Sequence, residues 1–410
     1  MSNRIIALLA ASTLLISCGV STQSCSKDNT PTRLPDAEPI VLTKAQSAMS
    51  SGINGFGVDL LRELYKAEPG KDVFISPLSI SLALSMTAGG AKGETASEMT
   101  SALGFEGFTP EEVSAFYKYF VDAVMAVDPS TTLEVANSIW TDKSIKILKS
   151  YSDYAAKYYG SDVKSVDFSK VAAIKAVNQW CSDKTHGKIK SILEDSDLGL
   201  AVVLANALYF NGTWRFEFSG TERDTFHGLS ADRKEDFMYV TSRFRYGESA
   251  GFQAVDLPYG NGAFCLTVLL PAEGADFGKA VASLTPAVWS AVTGSMYSNE
   301  VDLRLPKWKL EYKASLREYL EALGMRLAFT GSADFSGMSD TPMCIDFVRH
   351  KTFIDVNEKG TEAAAVTAVG MKATSAGHGF GPVPFVADRP FIYAIRERST
   401  GAVIFIGTKL

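Results

Sequence analysis

Histidine is scarce in this chain, with four in 410 residues, at positions 186, 227, 350 and 378. None sits in an H-E-x-x-H helix, and no G-x-S-x-G elbow, Walker loop or G-x-G-x-x-G turn follows a strand. The usual signatures of zinc hydrolases, serine hydrolases and nucleotide-binding enzymes are therefore missing. Cysteine is sparse as well: Cys18, Cys25, Cys181, Cys265 and Cys344 show no paired C-x-x-C spacing, so neither a metal site nor a disulfide framework is expected. The last three read as small buried apolar residues. Charge is not concentrated in a basic stripe. The 40 Lys and Arg are scattered among 46 Asp and Glu, for a net charge of −6, which leaves no electrostatic footprint for nucleic acid.

What is present begins with Arg4 and an apolar run from Ile5 to Ile16, too short to cross a bilayer as a helix but of the length of a signal-peptide core. It ends Leu15-Ile16-Ser17-Cys18, which resembles the lipobox of bacterial lipoproteins and predicts acylation of the Cys18 thiol after removal of residues 1–17. Residues 18–44 are rich in Ser, Thr, Asp, Asn and Pro without apolar periodicity, and are expected to form a flexible tether. These readings predict an exported bacterial lipoprotein at the outer membrane or cell surface, facing periplasm or exterior, or released outside the cell.

The whole chain has 46% hydrophobic and 21% charged residues, an ordinary globular balance, and the remainder, 45–410, shows no internal repeat or linker. One domain is expected. Ile53, Phe56, Gly57, Leu60, Leu61 and Leu64 mark one face of a first helix. Val73-Phe74-Ile75 reads as a short buried strand, and Ser76-Pro77 as a cap and first turn opening a helix that is apolar nearly all round and stops at Gly89 and Gly90. Ile174, Val177, Trp180 and Cys181 share a helical face, whereas Val202 to Phe210, Phe264 to Leu270 and Val301 to Leu305 read as strands. Helices first and strands later predict an α+β fold with antiparallel sheets. His350, beside the strand-like Ile345-Asp346-Phe347-Val348, reads as a hydrogen-bonded core residue before it reads as a catalytic base.

Glu358-Lys359-Gly360-Thr361-Glu362-Ala363-Ala364-Ala365-Val366-Thr367-Ala368-Val369 is a row of small residues, followed by Gly and Pro up to Pro384. Taken alone it is a solvent-exposed loop. Together with Val356 and Asn357, however, it resembles the hinge signature of the serpin family. Further matches stand in the family's order: Phe74-Ile75-Ser76-Pro77-Leu78-Ser79-Ile80, Gly90-Ala91-Lys92-Gly93-Glu94-Thr95, Asn206-Ala207-Leu208-Tyr209-Phe210-Asn211-Gly212-Thr213-Trp214, Leu257-Pro258-Tyr259, Leu305-Pro306-Lys307, Ala333-Asp334-Phe335-Ser336 and Asp388-Arg389-Pro390-Phe391. The similarity runs from about residue 45 to Leu410.

The resemblance implies a serpin fold: three β-sheets, eight to nine helices and an exposed reactive-centre loop on a metastable body. It implies a monomeric suicide-substrate inhibitor of serine and related cysteine endopeptidases, not an enzyme, working without cofactor or metal. The loop is cut, the acyl-enzyme forms, and the loop inserts into the central sheet and traps the protease. In this reading Glu358, Gly360, Thr361, Glu362, Ala363, Ala364 and Ala365 form the hinge. An inserting strand would turn Thr361, Ala363, Ala365 and Thr367 toward the core and Glu362 away from it. Counting seventeen residues from Glu358 places the reactive bond at Thr374-Ser375. Lys372 would suit trypsin-like proteases, whereas Met371, Ala373 or Thr374 would suit elastase-like or subtilisin-like ones, so a broad range is expected. Ser76, Ser79, Asn206 and His350 match the family's shutter beneath the sheet, and Trp214 with Glu358 its breach. The helix from Pro110 to Val127 carries Glu111, Glu112 and Asp122 but only Lys118 as a cation, so glycosaminoglycan dependence is not expected. Two other readings stay open: a non-inhibitory serpin acting as a binding or chaperone-like module, and a surface hydrolase relying on His350.

Overall fold

Thr43 opens the first helix, α1 (Lys44–Ala67): its hydroxyl accepts the Gln46 N–H at 3.2 Å while the Gln46 side chain accepts the Thr43 N–H at 2.9 Å, a reciprocal cap. The computed structural model describes residues 34–361 and 381–410. The leader 1–17, Cys18, Cys25, the hinge residues Glu362, Ala363, Ala364 and Ala365, and the candidate bond positions Met371, Lys372, Ala373, Thr374 and Ser375 lie outside the described residues.

The face of α1 read from the sequence is the buried one, from Ile53 to Leu64. Each fully buried leucine on it contributes about 1.5–3 kcal/mol. Ser76 caps α2 (Pro77–Ala88), and Pro77 fills the first helical position, where no N–H is needed. This helix is buried on almost every side, as its apolar circumference requires. The others are α3 (Gly93–Ala102), α4 (Pro110–Ala126), α5 (Lys149–Tyr159), α6 (Val171–Lys184), α7 (Phe277–Ser283), α8 (Pro286–Gly294) and α9 (Arg317–Ala322).

The strands, numbered in chain order, fall into two ladders. One contains β2 (Thr132–Asp142), β3 (Asp162–Val166), β4 (Val202–Thr213), β10 (Trp308–Ser315), β11 (Arg349–Asn357) and β12 (Gly360–Thr361), in the order β10-β11-β12-β4-β2-β3. The other contains β1 (Phe74–Ile75), β5 (Gly220–His227), β6 (Asp232–Ser249), β7 (Phe252–Pro258), β8 (Phe264–Pro271), β9 (Tyr297–Pro306), β13 (Val383–Val386), β14 (Phe391–Glu397) and β15 (Val403–Lys409). Two of the three expected sheets are thus one continuous ladder. Its 18-residue strand β6 pairs with β5 through its first half, with β9 through its middle and with β7 at its end. β11 begins at Arg349, so Ile345 to Val348, read as strand-like, precede it.

Strand β4 separates two clusters of apolar side chains. Val203, Ala205 and Ala207 face Ile174, Val177 and Cys181 of α6. Leu204, Leu208 and Phe210, on the alternate face, join the main core with α1, α2 and the second ladder.

Inside that second ladder lies a buried ion pair. Arg396 of β14 donates from Nη2 to Asp256 Oδ1 and Oδ2 at 2.8 and 2.7 Å, and from Nε to Thr267 Oγ1 at 2.6 Å. Thr267 in turn donates to Asp256 Oδ1 at 2.7 Å. Burial pushes the Asp256 carboxyl upward, but the guanidinium and the Thr267 hydroxyl outweigh it and hold the group below its usual range.

The last residues of the expected tether lie against the body. Asp36 pairs with Arg215, the Ala37 N–H donates to Asn261 O at 3.2 Å, the Ile40 N–H donates to Ser399 Oγ at 2.9 Å, and Tyr119 OH donates to Val41 O at 2.9 Å. Ala37, Ile40 and Leu42 pack on the main core.

Candidate functional site

At one end of the six-stranded sheet the hinge enters the seam between β4 and β11. Gly360 lies opposite Thr213 on one side and Asn357 on the other, and Thr361 lies between Gly212 and Val356. Glycine is required at 360 because a Cβ there would collide with the Gly212 carbonyl oxygen. Thr361 is 2% exposed and faces the core, and its Oγ1 lies 2.5 Å from the hydroxyl of the fully buried Tyr259. Among the described residues β4 and β11 form no ladder with each other, so Gly360 and Thr361 are what joins them.

Trp214 holds the backbone of this entry. Its ring stacks on Tyr259 at a centroid distance of 4.5 Å, its indole Nε1 donates to Asn357 O at 2.7 Å, and its backbone N–H donates to Lys359 O at 2.9 Å. Trp214 therefore grips the carbonyls on either side of Glu358, and the Glu358 carboxylate points elsewhere, to Lys307 at 3.7 Å. That half-exposed pair is worth no more than about 1 kcal/mol. Tyr259 was visible in the sequence only as part of Leu257-Pro258-Tyr259. Its contact with Thr361 spans 102 residues, and no local signal announces it.

In the middle of the seam the four shutter residues are joined. The Ser76 N–H donates to His350 Nε2 at 3.0 Å and Ser76 Oγ donates to Ile404 O at 2.7 Å. The Ser79 N–H donates to Ser76 Oγ at 3.2 Å, and Ser79 Oγ donates to Asn206 Oδ1. Asn137, which the sequence did not single out, extends the chain: Asn206 Nδ2 donates to Asn137 Oδ1 at 2.5 Å, and Asn137 Nδ2 donates to Tyr159 O at 3.2 Å. Strands β2, β4 and β11 and helix α2 are thereby tied through one polar line.

Burial alone pulls the His350 imidazole down to about 3, so at neutral pH its Nε2 is a pure acceptor. The unfolded chain, with an ordinary histidine value of about 6.5, takes up the proton first. Stability is therefore complete above about pH 6.5 and is lost as pH falls toward 3, by at most about 1.4 kcal/mol per pH unit. Denaturant titrations at pH 7, 6 and 5 should show this slope, and His350→Gln, which keeps an acceptor without titrating, should flatten it by one proton. An unchanged slope in that variant would remove His350 from the account.

Cys181 and Cys265 are buried as expected, and burial pushes their thiols up to about 11 and about 12. Cys344 departs from expectation in being half-buried, because the segment before β11 is a loop at the sheet's lower edge. Its thiol is also raised by burial, so none of the three is an activated nucleophile.

The site is thus a six-stranded sheet in which Gly360 and Thr361 bridge β4 and β11 at one end, with a polar line across its middle. A family profile described as Serpin (serine protease inhibitor) matches residues 51–410. Iripin-3 of the tick Ixodes ricinus is 34% identical over 367 residues, covering 86% of this chain and 92% of that protein. Among solved structures, the thermophilic serpin tengpin in its native state is 31% identical with a TM-score of 0.81, covering 92% of this chain and 97% of tengpin. Human thyroxine-binding globulin is 26% identical with a TM-score of 0.80, covering 89% of this chain and 98% of that one. The chain belongs to the serpin family.

Proposed function

We propose that this serpin is inhibitory, trapping serine endopeptidases as acyl-enzymes through cleavage of the 362–380 segment and its insertion between β4 and β11. One observation carries the reading: Thr361, the first residue that must enter the core, already sits between those strands, buried and bonded to Tyr259. The residues after it on the same face, Ala363, Ala365 and Thr367, are small and uncharged, so nothing in them opposes continuation. Acylation of Cys18 would hold the inhibitor at a bacterial membrane, where an incoming protease meets it first.

Incubation with trypsin-like, elastase-like and subtilisin-like proteases should give an SDS-stable complex with at least one. Mass spectrometry of the released C-terminal peptide should place the cut at Thr374-Ser375 or at another bond within 371–375. Cuts lying only outside that stretch would overturn the bond assignment. A second reading, a non-inhibitory binding serpin, is favoured by the likeness to thyroxine-binding globulin. It predicts simple loop cleavage with every protease and no covalent complex.

A further inference from the structure

Three arginines from distant parts of the chain line one pocket of about 350 Å³: Arg215, just after β4, Arg245 of β6 and Arg398, just after β14. That volume falls in the range of small-ligand sites, roughly 300–1,000 Å³. The turn Asn261-Gly262-Ala263, between β7 and β8, forms part of its wall. Guanidiniums stay charged at any pH a folded protein meets, so three fixed positive charges meet here. Arg215, whose side chain is 10% exposed, donates from Nη1 to Asn261 O, and Arg398 donates from Nη1 to Gly262 O at 2.9 Å. A Cβ at Gly262, which has φ +90°, would stand 2.5 Å from Arg215 Nη1 and 3.3 Å from Arg398 Nη1. The two cations therefore converge over the one residue that has no side chain to keep them apart.

The carboxylates beside them do not balance this charge. Glu397 is held in its own turn, where it accepts the N–H and the hydroxyl of both Ser399 and Thr400. Glu38 is exposed and forms no ion pair among the described residues. Asp36 does reach Arg215, but it is 81% exposed, so solvent screens the pair. Arg245 donates from Nη2 to Met296 O at 2.9 Å, and neither Arg245 nor Arg398 forms an ion pair among the described residues. Arg398 Nε is buried and meets no acceptor among the described residues. A buried donor without an acceptor is costly, and an oxyanion would satisfy it while relieving the repulsion between the cations. A phosphate group can accept from several guanidiniums at once, in the planar forked geometry that arginine presents.

We propose that Arg215, Arg245 and Arg398 form a phosphate-binding site, which takes either the free ion or a small organic phosphate monoester, and in which the Asp36 carboxylate is the chain's own competitor for Arg215. A water occupies about 30 Å³, so the pocket has room for the phosphate and a small organic group beside it. The site stands whether or not the protein inhibits proteases.

The test is isothermal titration calorimetry of the full chain at constant ionic strength, with inorganic phosphate, glycerol 3-phosphate and, as control anion, chloride. Both phosphates should give saturable heat and chloride none; the tighter of the two tells whether the free ion or the monoester is the better ligand. Asp36→Asn removes the competitor and should tighten binding by about two- to fivefold, the weight of one exposed ion pair. Arg398→Gln, confirmed as folded by circular dichroism, should weaken it by about tenfold or more, the weight of a charge-assisted bond, and Arg245→Gln should act in the same direction. Absence of saturable heat in both wild type and Asp36→Asn would overturn the site. So would an affinity that neither arginine variant lowers, since the anion would then be held elsewhere. An affinity that Asp36→Asn leaves unchanged would overturn the part assigned to Arg215.

Discussion

Thr361→Arg, on the inhibitory reading proposed above, should turn an inhibitor into a substrate: loop cleavage persists while the SDS-stable complex disappears. Thr361 is 2% exposed, flanked by Gly212 and Val356 and bonded to Tyr259, so an arginine there has no solvent and no anion to meet. The whole cleaved segment must pass through that position, and burying an unpaired cation there costs several kcal/mol. Each 1.4 kcal/mol slows that step about tenfold, and hydrolysis of the acyl-enzyme then wins the race. Gel analysis and the stoichiometry of inhibition with one susceptible protease check this, and a variant that still traps enzyme one-to-one would contradict the direction of insertion.

The largest effect on stability is expected from the Asp256 and Arg396 pair. Both side chains are almost wholly buried, at 2% and 4% exposure, and each is the other's only opposite charge within bonding distance among the described residues. Asp256→Ala leaves the Arg396 guanidinium buried without its counter-charge, and should destabilise by about 3–5 kcal/mol. Replacing both, as Asp256→Leu with Arg396→Met, removes the two charges together and should recover most of that loss. Thermal midpoints of the single and double variants decide it. A double variant no better than the single one would show that the Thr267 bonds, and not the ion pair, carry the effect.

Much of this architecture was legible because its signals are local. Ser76-Pro77 announces the start of α2, the spacing from Ile53 to Leu64 gives the buried face of α1, and Val202 to Phe210 and Phe264 to Leu270 fall within the observed strands. The shutter was legible only through family resemblance, since nothing in the sequence places Ser79 beside Asn206, 127 residues away. The Tyr259 latch, the Asn137 extension and the Asp256 and Arg396 pair were missed for the same reason: each is made by strands that meet only in the folded sheet. Thr43, the cap of α1, was not singled out because residues 18–44 were read together as a tether rich in Ser and Thr, where a capping residue looks like its neighbours.

The stretch from Asp36 to Val41 has a practical consequence for anyone producing this protein. A soluble version truncated at Leu34 keeps every described bond to the turn beside Tyr259 and to Ser399, whereas one trimmed to the first helix strips the Asp36 brace from Arg215, the immediate neighbour of Trp214. Start sites on either side of this stretch therefore leave Arg215 with or without its carboxylate partner.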